Sequence, residues 1–317
     1  MVEIIGKVLH RSLLSERIVS LLIGNATDGV LPDFDAGAHI EINLPSGGTR
    51  AYSLIAFDAE FSAPMRYQIA VQREEEGQGG SRYMHDLQVG DTLRFSAPKN
   101  DFPLVANTPA LLLAGGIGVT PMISMACALR EADTAFEMIF AGRSKSEMAH
   151  VDALREMVGK GLTLHFDESH GLLDLNEVIN QLGERHLYVC GPRGMIDAVR
   201  VLAEAAKIAP ERIHFELFEV ASAGDSDTAF EVEINDGSVF TIPAGKSIIE
   251  VLEENDVDVM YDCQRGDCGI CQCDVLAGEP DHRDVVLSEA ERATGDVMQI
   301  CVSRSKSPRL VLDIEGA

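Results

Sequence analysis

The sequence predicts a multidomain protein that consists of an antiparallel β-barrel, an α/β domain with a parallel sheet, and a smaller α+β domain. Near residue 105 the pattern changes from short strands with period-two alternation to strands that alternate with helices. A small, polar stretch without periodicity then precedes the last part of the chain. We therefore predict domains at residues 1–104, 105–219 and 229–317, with a linker at residues 220–228.

The first predicted domain contains short alternating strands and no long helical pattern. Apolar residues alternate at Ile40, Ile42 and Leu44, at Tyr67, Ile69 and Val71, and at Leu93 and Phe95. Turn-forming residues separate these strands at residues 45–48 and 77–80. Such a series predicts a small antiparallel barrel.

The second predicted domain alternates apolar strands with helices. Strands are expected at residues 110–114, 136–141, 162–166, 186–190 and 213–218, and helices at residues 150–160 and 195–206. This order predicts a mostly parallel sheet that is covered by helices on both faces, as in nucleotide-binding domains.

The last predicted domain begins with a hairpin and a helix. Strands are expected at residues 230–234 and 239–242, on either side of Asp236-Gly237, which is a hairpin turn signal. Residues 247–255 are expected to form a helix.

Four cysteines of the last domain have the spacing of iron–sulfur ligands. They are Cys263, Cys268, Cys271 and Cys301. Their pattern is C-x4-C-x2-C, then 29 residues and C, which is the plant-type [2Fe-2S] spacing. Gly266 and Gly269 in the loop allow positive φ and backbone amides that point at the sulfurs. We predict that the four cysteines bind such a cluster.

A structural zinc site is the main alternative for these cysteines. Zinc sites favour two C-x2-C pairs or mixtures of Cys and His, and here only Cys268 and Cys271 form such a pair. Cys273 is expected to be a packed thiol, although a shifted loop could use it. No His replaces a ligand in the pattern, which argues against a Rieske-type centre and for a potential of about −400 mV.

The bulk composition limits the classes of partner. The formal net charge is −25, so binding to nucleic acid or to anionic lipid is not expected. Arg11, Glu16 and Arg17 interrupt the apolar N-terminal stretch, which argues against a signal peptide or a membrane span. Seven cysteines, four of them in a cluster pattern, fit a reducing compartment. We predict a cytoplasmic protein that binds neither nucleic acid nor membrane.

Two turns in the second domain join strands to helices. Residues 115–121 read Gly-Gly-Ile-Gly-Val-Thr-Pro, with Thr120 expected as the helix N-cap and Pro121 as the first helical residue. Glycines there would let a pyrophosphate approach backbone amides, but the G-x-G-x-x-G pattern fails at Pro121, and ordinary turn geometry explains this turn equally well. Residues 190–194, Cys-Gly-Pro-Arg-Gly, form a second such turn. Two turns in one sheet predict a dinucleotide crevice.

Residues 50–53 of the barrel, Arg-Ala-Tyr-Ser, follow a Gly-rich turn. By themselves they are most simply a strand with one exposed cation. Alternatively, Arg50 pairs with a phosphate, Tyr52 lies against a flat ring and Ser53 donates a hydrogen bond to that ring. Residues 79–81, Gly-Gly-Ser, could supply further amide donors for the same phosphate.

Taken in order, these motifs resemble those of one known family. They are Arg50-x-Tyr-Ser53, Gly79-Gly-Ser81, Gly115-Gly-Ile-Gly-x-Thr-Pro121, Cys190-Gly-Pro192, His214-Phe-Glu-Leu-Phe218 and the four cysteines. Over almost its whole length the chain resembles the phthalate dioxygenase reductase and vanillate O-demethylase reductase family. The resemblance implies an FMN-binding barrel, an NADH-binding domain and a C-terminal plant-type ferredoxin domain of β-grasp-like fold in one chain.

The resemblance also implies roles for particular residues. FMN would be bound by Arg50, Ala51, Tyr52, Ser53, Gly79, Gly80, Ser81 and Thr120, with Phe218 covering the flavin. NADH would be bound by Gly115, Gly116, Gly118, Cys190, Gly191 and Pro192. Ser53 and Cys190 would orient the flavin and the nicotinamide without transferring protons. The cluster would be held by Cys263, Cys268, Cys271 and Cys301.

The family's electron donor is NADH. Arg143, Ser144 and Lys145 follow the strand where an adenosine ribose would lie, and such cations could admit a 2′-phosphate. We keep NADH as the expected donor. NADH gives up two electrons as a hydride, whereas the cluster accepts one at a time, so a flavin is needed between them.

The function implied by the resemblance is that of a reductase component of a two-component oxygenase. The expected partner is a separate, Rieske-type non-haem iron protein that hydroxylates or demethylates an aromatic acid, and the chain is expected to be a monomer. Residues 229–317 contain nineteen Asp and Glu against seven Lys and Arg, which would attract a basic partner to the ferredoxin domain, with Asp262 and Asp267 beside the cluster ligands. Alternatives are a reductase for another acceptor, such as a haem monooxygenase, and a redox sensor.

Overall fold

In the computed structural model the chain forms two compact units, Met1–Glu216 and Leu217–Ala317. The structure describes residues 3–58, 60–75, 79–218 and 227–314. The predicted linker lies outside the described residues from residue 220 to residue 226, as do residues 77 and 78 of a predicted turn. Both of the first two predicted domains fall within the first unit, and their boundary at residue 104 stays a prediction.

Six antiparallel strands form the first sheet of the first unit. They are β1 (Glu3–Leu13), β2 (Ile18–Asn25), β3 (His39–Asn43), β4 (Thr49–Ser53), β5 (Arg66–Gln72) and β6 (Thr92–Ser96), with the short helix α1 (Gly80–Asp86) before β6. Their order across the sheet is β4-β3-β6-β1-β2-β5. The N–H of Ile55 donates to the carbonyl of Gln68 at 2.9 Å, which joins the segment after β4 to β5. The predicted antiparallel barrel is therefore confirmed.

Five parallel strands form the second sheet of this unit. They are β7 (Ala110–Gly115), β8 (Phe136–Gly142), β9 (Leu162–Phe166), β10 (His186–Cys190) and β11 (Ile213–Glu216). The helices between them are α2 (Val119–Glu131), α3 (Val151–Val158), α4 (Asp167–His170), α5 (Leu175–Asn180) and α6 (Arg193–Ala205). The strand order is β11-β10-β7-β8-β9, and every pair is parallel, as predicted. The chain therefore changes direction across the sheet between β7 and β10, which is where ligands bind in such folds.

One apolar core joins the barrel to the parallel sheet. Ile18 of the barrel and Met122 of α2 belong to the same buried cluster. The hydroxyl of Ser124, also on α2, donates to the carbonyl of Leu54 at 2.7 Å and accepts the N–H of Ala56 at 2.9 Å. The barrel is thus fixed against the helix that follows the first glycine turn.

The second unit is a mixed five-stranded sheet with two short helices. Its strands are β12 (Phe230–Glu233), β13 (Val239–Ile242), β14 (Gln272–Ala277), β16 (Val297–Gln299) and β18 (Arg309–Asp313), with a two-stranded ladder of β15 (Pro280–Asp281) and β17 (Arg304–Ser305). The helices are α7 (Ile248–Glu254) and α8 (Glu289–Thr294). The sheet order is β13-β12-β18-β14-β16. The predicted α+β domain and its first hairpin, with Gly237 at φ 83°, are confirmed.

Two arginines of the second unit bind Asp227 and Thr228, the residues with which the described part of the chain resumes after residue 218. Arg283 donates two hydrogen bonds to the carboxylate of Asp227, at 2.9 and 2.6 Å, and Arg304 donates to the carbonyl of Thr228 at 3.1 Å. Paired charge-assisted bonds of this kind are the strong ones. The chain is therefore anchored to the second unit from residue 227 onward. Across both units, none of the described helices combines the length and the apolar character needed to cross a bilayer.

Candidate functional site

The two strand-to-helix turns of the parallel sheet meet at its carboxyl edge. A side-chain carbon at Gly118 would lie 2.1 Å from the carbonyl oxygen of Cys190, and one at Gly115 would lie 3.2 Å from the Cα of Gly191. The first distance leaves no room for a side chain, and the second would require the facing backbone to shift, so the close approach of the two turns is favoured by glycine at both positions. The predicted convergence of residues 115–118 with residues 190–192 is present in the structure.

Both helices that follow these turns begin without a side-chain cap. Helix α2 starts at Val119 with Gly118 as its N-cap, and α6 starts after Pro192. The expectation that Thr120 caps α2 is wrong, because a turn of 3₁₀ helix leads directly into α2 and the Thr120 hydroxyl donates backward to the carbonyl of Ile117 at 3.1 Å. Backbone carbonyls take part of the role of a cap: the N–H of Val119 donates to Gly116 and Ile117, and the N–H of Met195 donates to Pro192 at 2.9 Å.

A cavity of about 410 Å³ opens at this edge of the sheet. Of the residues predicted to bind NADH, Gly115, Gly116 and Pro192 line it, whereas the other three, Gly118, Cys190 and Gly191, do not. Gly116 has φ 55°, and a side-chain carbon there would meet no atom within 4 Å. Gly116 therefore presents open backbone to the cavity, while Gly118 serves the packing of the turns.

Charged side chains line the end of the cavity beyond β8 and β9. Arg143 follows β8 and lies 3.3 Å from the carboxylate of Glu168, while Glu147 and Asp167 also line the cavity. His165 lies 3.4 Å from the carboxylate of Asp167. Of the three residues expected beside a ribose, only Arg143 reaches the cavity; Ser144 and Lys145 do not line it. The sequence analysis did not predict Glu147 and Asp167 as lining residues. Asp167 could have been found, because it directly follows β9 in the same way that Arg143 directly follows β8.

The opposite wall of the cavity belongs to the barrel. It is formed by the turn between β1 and β2, by the first residue of β2 and by one residue of β5, namely Ser15, Glu16, Arg17, Ile18 and Gln72. No local motif marked these residues, because only the packing of the barrel on α2 brings the turn over the sheet edge.

The barrel residues predicted to bind a flavin include one buried polar group and one cation. Ser53 is 4% exposed, and its hydroxyl has no hydrogen-bond partner among the described residues. Burial raises the pKa of the neighbouring Tyr52 to about 12, with the charge of Arg50 opposing the rise. A side-chain carbon at Gly80 would lie 2.9 Å from the Cγ of Arg50, so Arg50 lies directly against the predicted glycine segment. The site has a cation, a neutral phenol and an unsatisfied hydroxyl, which fits a bound flavin phosphate and ring.

The remaining predicted flavin residues are placed as follows. Ala51 is exposed, and Gly79 has φ 93° just before α1. The Ser81 hydroxyl accepts the N–H of Glu74 at 3.0 Å. Phe218 is 39% exposed and belongs to the second unit.

Glu216, the acidic residue of the His214-Phe-Glu-Leu-Phe218 motif, has a buried side chain. It is 2% exposed and lies opposite Cys190 in the register of β10 and β11. The motif contained this residue, but nothing in the sequence predicted its burial.

The four predicted cluster cysteines lie together in the second unit. The thiol of Cys263 interacts with those of Cys268 and Cys301, and the thiol of Cys271 interacts with that of Cys301. Cys271 immediately precedes β14 and Cys301 lies two residues after the end of β16, and the antiparallel pairing of these strands brings the two cysteines close together. The thiolates can therefore surround one compact inorganic core.

The cysteine loop also has the expected backbone. Gly266 and Gly269 have φ 81° and 80°, and the N–H of Arg265 donates to the sulfur of Cys263 at 3.3 Å. Among the described residues no three His, Cys, Asp or Glu side chains are arranged to hold a single metal ion. A plant-type cluster does not need such a group, because each of its two irons takes two of the four thiolates.

Two neighbours of the cluster ligands are buried. Cys273 lies in the apolar core, and burial raises the pKa of its thiol, as a packed cysteine requires. The side chain of Asp267 is only 4% exposed, lies 3.3 Å from the guanidinium of Arg265 and accepts the N–H of Leu217 at 2.9 Å. The expectation that Asp267 offers a surface charge to a partner is wrong, because its carboxylate is used within the loop.

Two sequence families match parts of the chain. Residues 232–306 match Fer2, the 2Fe-2S iron-sulfur cluster binding domain. Residues 112–201 match the oxidoreductase NAD-binding domain. The cysteine loop therefore lies in an iron–sulfur domain, and the glycine turns lie in an NAD-binding domain.

Curated relatives match nearly the whole chain. The chain is 42% identical over 296 residues to tetrachlorobenzoquinone reductase of Sphingobium chlorophenolicum, covering 90% of each chain. It is 40% identical over 297 residues to vanillate O-demethylase oxidoreductase of Pseudomonas putida, covering 91% of this chain and 93% of that one.

Solved structures contain the same folds over nearly the whole length of this chain. Phthalate dioxygenase reductase, described as a modular structure for electron transfer from pyridine nucleotides to [2Fe-2S], matches with a TM-score of 0.74, 34% identity and 98% coverage of both chains. An intact type IV self-sufficient cytochrome P450 monooxygenase matches with a TM-score of 0.72 and 31% identity over 98% of this chain and 41% of that protein. Together with the two cofactor domains and the near-complete alignment to curated reductases, these likenesses show that the chain belongs to the phthalate dioxygenase reductase and vanillate O-demethylase reductase family.

Proposed function

We propose that this chain is the NADH-dependent reductase component of a two-component oxygenase. It passes electrons from NADH through FMN and a [2Fe-2S] cluster to a separate Rieske-type, non-haem iron protein that hydroxylates or O-demethylates an aromatic acid. The observation that carries the proposal is the presence of both ends of this route in one chain. The first unit has a nucleotide cavity at the switch point of its parallel sheet, and the second has four converging cysteines.

The residues of the first unit fit the two organic cofactors. Arg50, Gly79, Gly80 and Ser81 would hold the FMN phosphate, while Ala51, Tyr52, Ser53, Thr120 and Phe218 would surround its ring. Gly115, Gly116 and Pro192 would contact NADH directly, and Gly118, Cys190 and Gly191 would set the spacing of the two turns. A bound flavin supplies the step between a two-electron donor and a one-electron acceptor. Ser53 and Cys190 act by orientation in this scheme, and no side chain has to move a proton.

The charges in the cavity favour NADH over NADPH. Arg143 is paired with Glu168 at 3.3 Å, and the carboxylates of Glu147 and Asp167 line the same end of the cavity. A carboxylate can accept hydrogen bonds from the two hydroxyls of an unmodified ribose, whereas it would repel a 2′-phosphate. This arrangement supports NADH as the donor.

A haem monooxygenase is the second candidate for the electron acceptor. The likeness to a self-sufficient cytochrome P450 monooxygenase covers 98% of this chain, so a closely similar fold occurs in a haem enzyme. Relatives named as vanillate O-demethylase and phenoxybenzoate dioxygenase components support the aromatic oxygenase instead. We therefore keep a haem monooxygenase as the second candidate for the partner.

Anaerobic stopped-flow mixing tests the proposed route. On mixing with NADH, the flavin absorbance should bleach first and the cluster absorbance second, and NADPH should react more slowly at the same concentration. Coupled turnover with a Rieske-type aromatic oxygenase and with a P450 then separates the two partner classes. A cluster that stays oxidised would contradict the route, whereas productive coupling to the P450 alone would contradict only the partner.

The acidic ferredoxin domain is the proposed docking surface for that partner. We place the docking contact at Asp262 of the cysteine loop, which is half-buried, whereas the side chain of Asp267 is only 4% exposed. Replacing Asp262 by Lys should weaken coupled turnover at low salt, because the partner is steered by opposite charge. Glu279→Lys, the same charge change outside the loop, is the control, and equal coupling in both variants at all salt concentrations would place the docking surface elsewhere. We also propose a monomer, which light scattering on the eluted protein would test.

A further inference from the structure

The wall that the barrel contributes to the nucleotide cavity is held in a fixed position. The turn between β1 and β2 is closed by a hydrogen bond from the N–H of Leu14 to the carbonyl of Ile18, at 2.9 Å, and by one from the N–H of Ile18 to the carbonyl of Ser15, at 3.4 Å. The side chain of Ile18 is buried in the core that the barrel shares with α2. The turn therefore cannot shift without disturbing the core beneath it.

Arg17 projects from this turn with only part of its guanidinium engaged. Its Nη2 donates to the carbonyl of Arg73 at 2.9 Å and lies 3.8 Å from the carboxylate of Glu74. Within the ranges that the structure describes, neither Nε nor Nη1 of Arg17 has a hydrogen-bond partner. The side chain is 52% exposed and lines the cavity. A fixed guanidinium with remaining donors is suited to an anionic ligand.

Of the two cations around the cavity, Arg17 lies farther from an acid. Arg143 lies 3.3 Å from the carboxylate of Glu168, whereas Arg17 lies 3.8 Å from that of Glu74 and keeps Nε and Nη1 for a ligand. Three acids, Glu16, Glu147 and Asp167, also line the cavity, in a chain of net charge −25. Both negative charges of NADH are located on its pyrophosphate. A cation near that group is needed to offset the repulsion from the acidic surroundings.

We propose that Arg17 is a positioning residue that binds the pyrophosphate of NADH from the barrel side. The barrel and the parallel sheet then hold the dinucleotide jointly, with the open backbone of Gly116 on one side and Arg17 on the other. The inference rests on the proposed function, since it assumes that NADH occupies this cavity. The contact is made equally before and during hydride transfer, so it affects KM far more than kcat.

The test compares three variants of the full-length protein. Arg17→Ala removes the cation, and Arg17→Lys keeps a charge without the planar fork. Arg73→Ala is the matched control, because its side chain has the same charge, pairs with Glu75 at 3.3 Å and does not line the cavity. The readouts are the Kd of ADP-ribose by calorimetry, the inhibition constant of phosphate-free adenosine, and kcat and KM for NADH with ferricyanide.

In Arg17→Ala the Kd of ADP-ribose and the KM for NADH should each rise about tenfold, as expected when a charged hydrogen bond is lost. Arg17→Lys should recover part of the loss, and Arg73→Ala should match the wild type. Adenosine inhibition and kcat should not change. An unchanged Kd for ADP-ribose in Arg17→Ala, or an equal loss in Arg73→Ala, would overturn the inference. A wild-type protein that neither binds ADP-ribose nor oxidises NADH would overturn the proposed function itself.

Discussion

Gly118 illustrates how a single residue can serve a cofactor site without touching the cofactor. A side-chain carbon there would overlap the carbonyl group of Cys190, at 2.1 Å from its oxygen. Gly118→Ala should therefore separate the two turns, lower the free energy of unfolding by about 2–3 kcal/mol and weaken NADH binding. Urea unfolding and the KM for NADH are the measurements.

Gly116→Ala is the matched control for this prediction. The new methyl group would enter open space, and only the positive φ of 55° opposes it, which costs about 1 kcal/mol. If Gly118→Ala lowered the free energy of unfolding no more than Gly116→Ala does, the close contact with Cys190 would not limit the size of residue 118.

His150 makes the stability of the first unit depend on pH. Burial lowers the pKa of His150 to about 4, and its Nε2 is buried without a partner among the described residues. The unfolded chain, with an ordinary histidine pKa near 6.5, binds the proton more readily. The stability from this group is thus present above pH 6.5 and is lost as the pH falls toward 4.

Replacement by a residue that does not titrate tests this effect. Asn tolerates the left-handed conformation of His150, at φ 60°. His150→Asn should lose less stability between pH 6.5 and pH 4.5 than the wild type, by on the order of 2 kcal/mol, in urea unfolding followed by circular dichroism. Parallel pH curves for both proteins would show that the protonation of His150 does not contribute.

Among the residues, the four cysteines and the glycine turns could be predicted because their chemistry demands a local pattern. Arg17 could not, since its place above the sheet edge depends on packing between distant elements. Asp267 shows the opposite failure: its position beside Cys268 suggested a surface charge, whereas the loop folds its carboxylate inward onto Arg265. Sequence gives the identity of a charge but not the direction in which it points.

Helix α2 is the element that connects the flavin barrel to the nucleotide sheet. Its Ser124 is buried and bridges the carbonyl of Leu54 and the N–H of Ala56. Ser124→Ala leaves both buried backbone groups without this partner, and it should reduce the free energy of unfolding by about 1–3 kcal/mol. Equilibrium unfolding in urea measures the loss.

Ser62→Ala provides the comparison for this prediction. Ser62 is exposed, and its substitution should change stability by less than about 0.5 kcal/mol. Similar stabilities for the two variants would mean that the Ser124 bonds do not tie the barrel to the helix.

Most strands of the parallel sheet were predictable because a strand buried on both faces is apolar throughout. The predicted strand at 186–190 agrees with β10 (His186–Cys190), whereas β11 ends at Glu216, two residues before the predicted end. Strands β1 and β2 were not assigned. In β1, Ile5, Leu9 and Leu13 are exposed although they are apolar, so the alternation does not show which face is buried.

At the scale of the whole molecule, each apolar core lies within one compact unit. Two cores contain only residues between Val8 and Cys190, and the third contains only residues between Phe230 and Ile314. The predicted linker at 220–228 falls between these sets of residues in the sequence, but its last two residues, Asp227 and Thr228, are hydrogen-bonded to Arg283 and Arg304 of the second unit. The contact between barrel and sheet could not be predicted in the same way, because no change of composition records a shared core.

The separate cores predict that residues 1–218 fold and react without the ferredoxin domain. A protein truncated after Phe218 should keep its flavin and oxidise NADH with ferricyanide at a rate within about twofold of the full chain, because it retains both cores of the first unit. It should not support oxygenase turnover, since the four cysteines are absent. Flavin content, ferricyanide reduction and coupled turnover are the measurements, with the full chain as control. A truncated protein that loses its flavin would show that the first unit depends on the second, and one that still drives the oxygenase would show that electrons leave from the flavin.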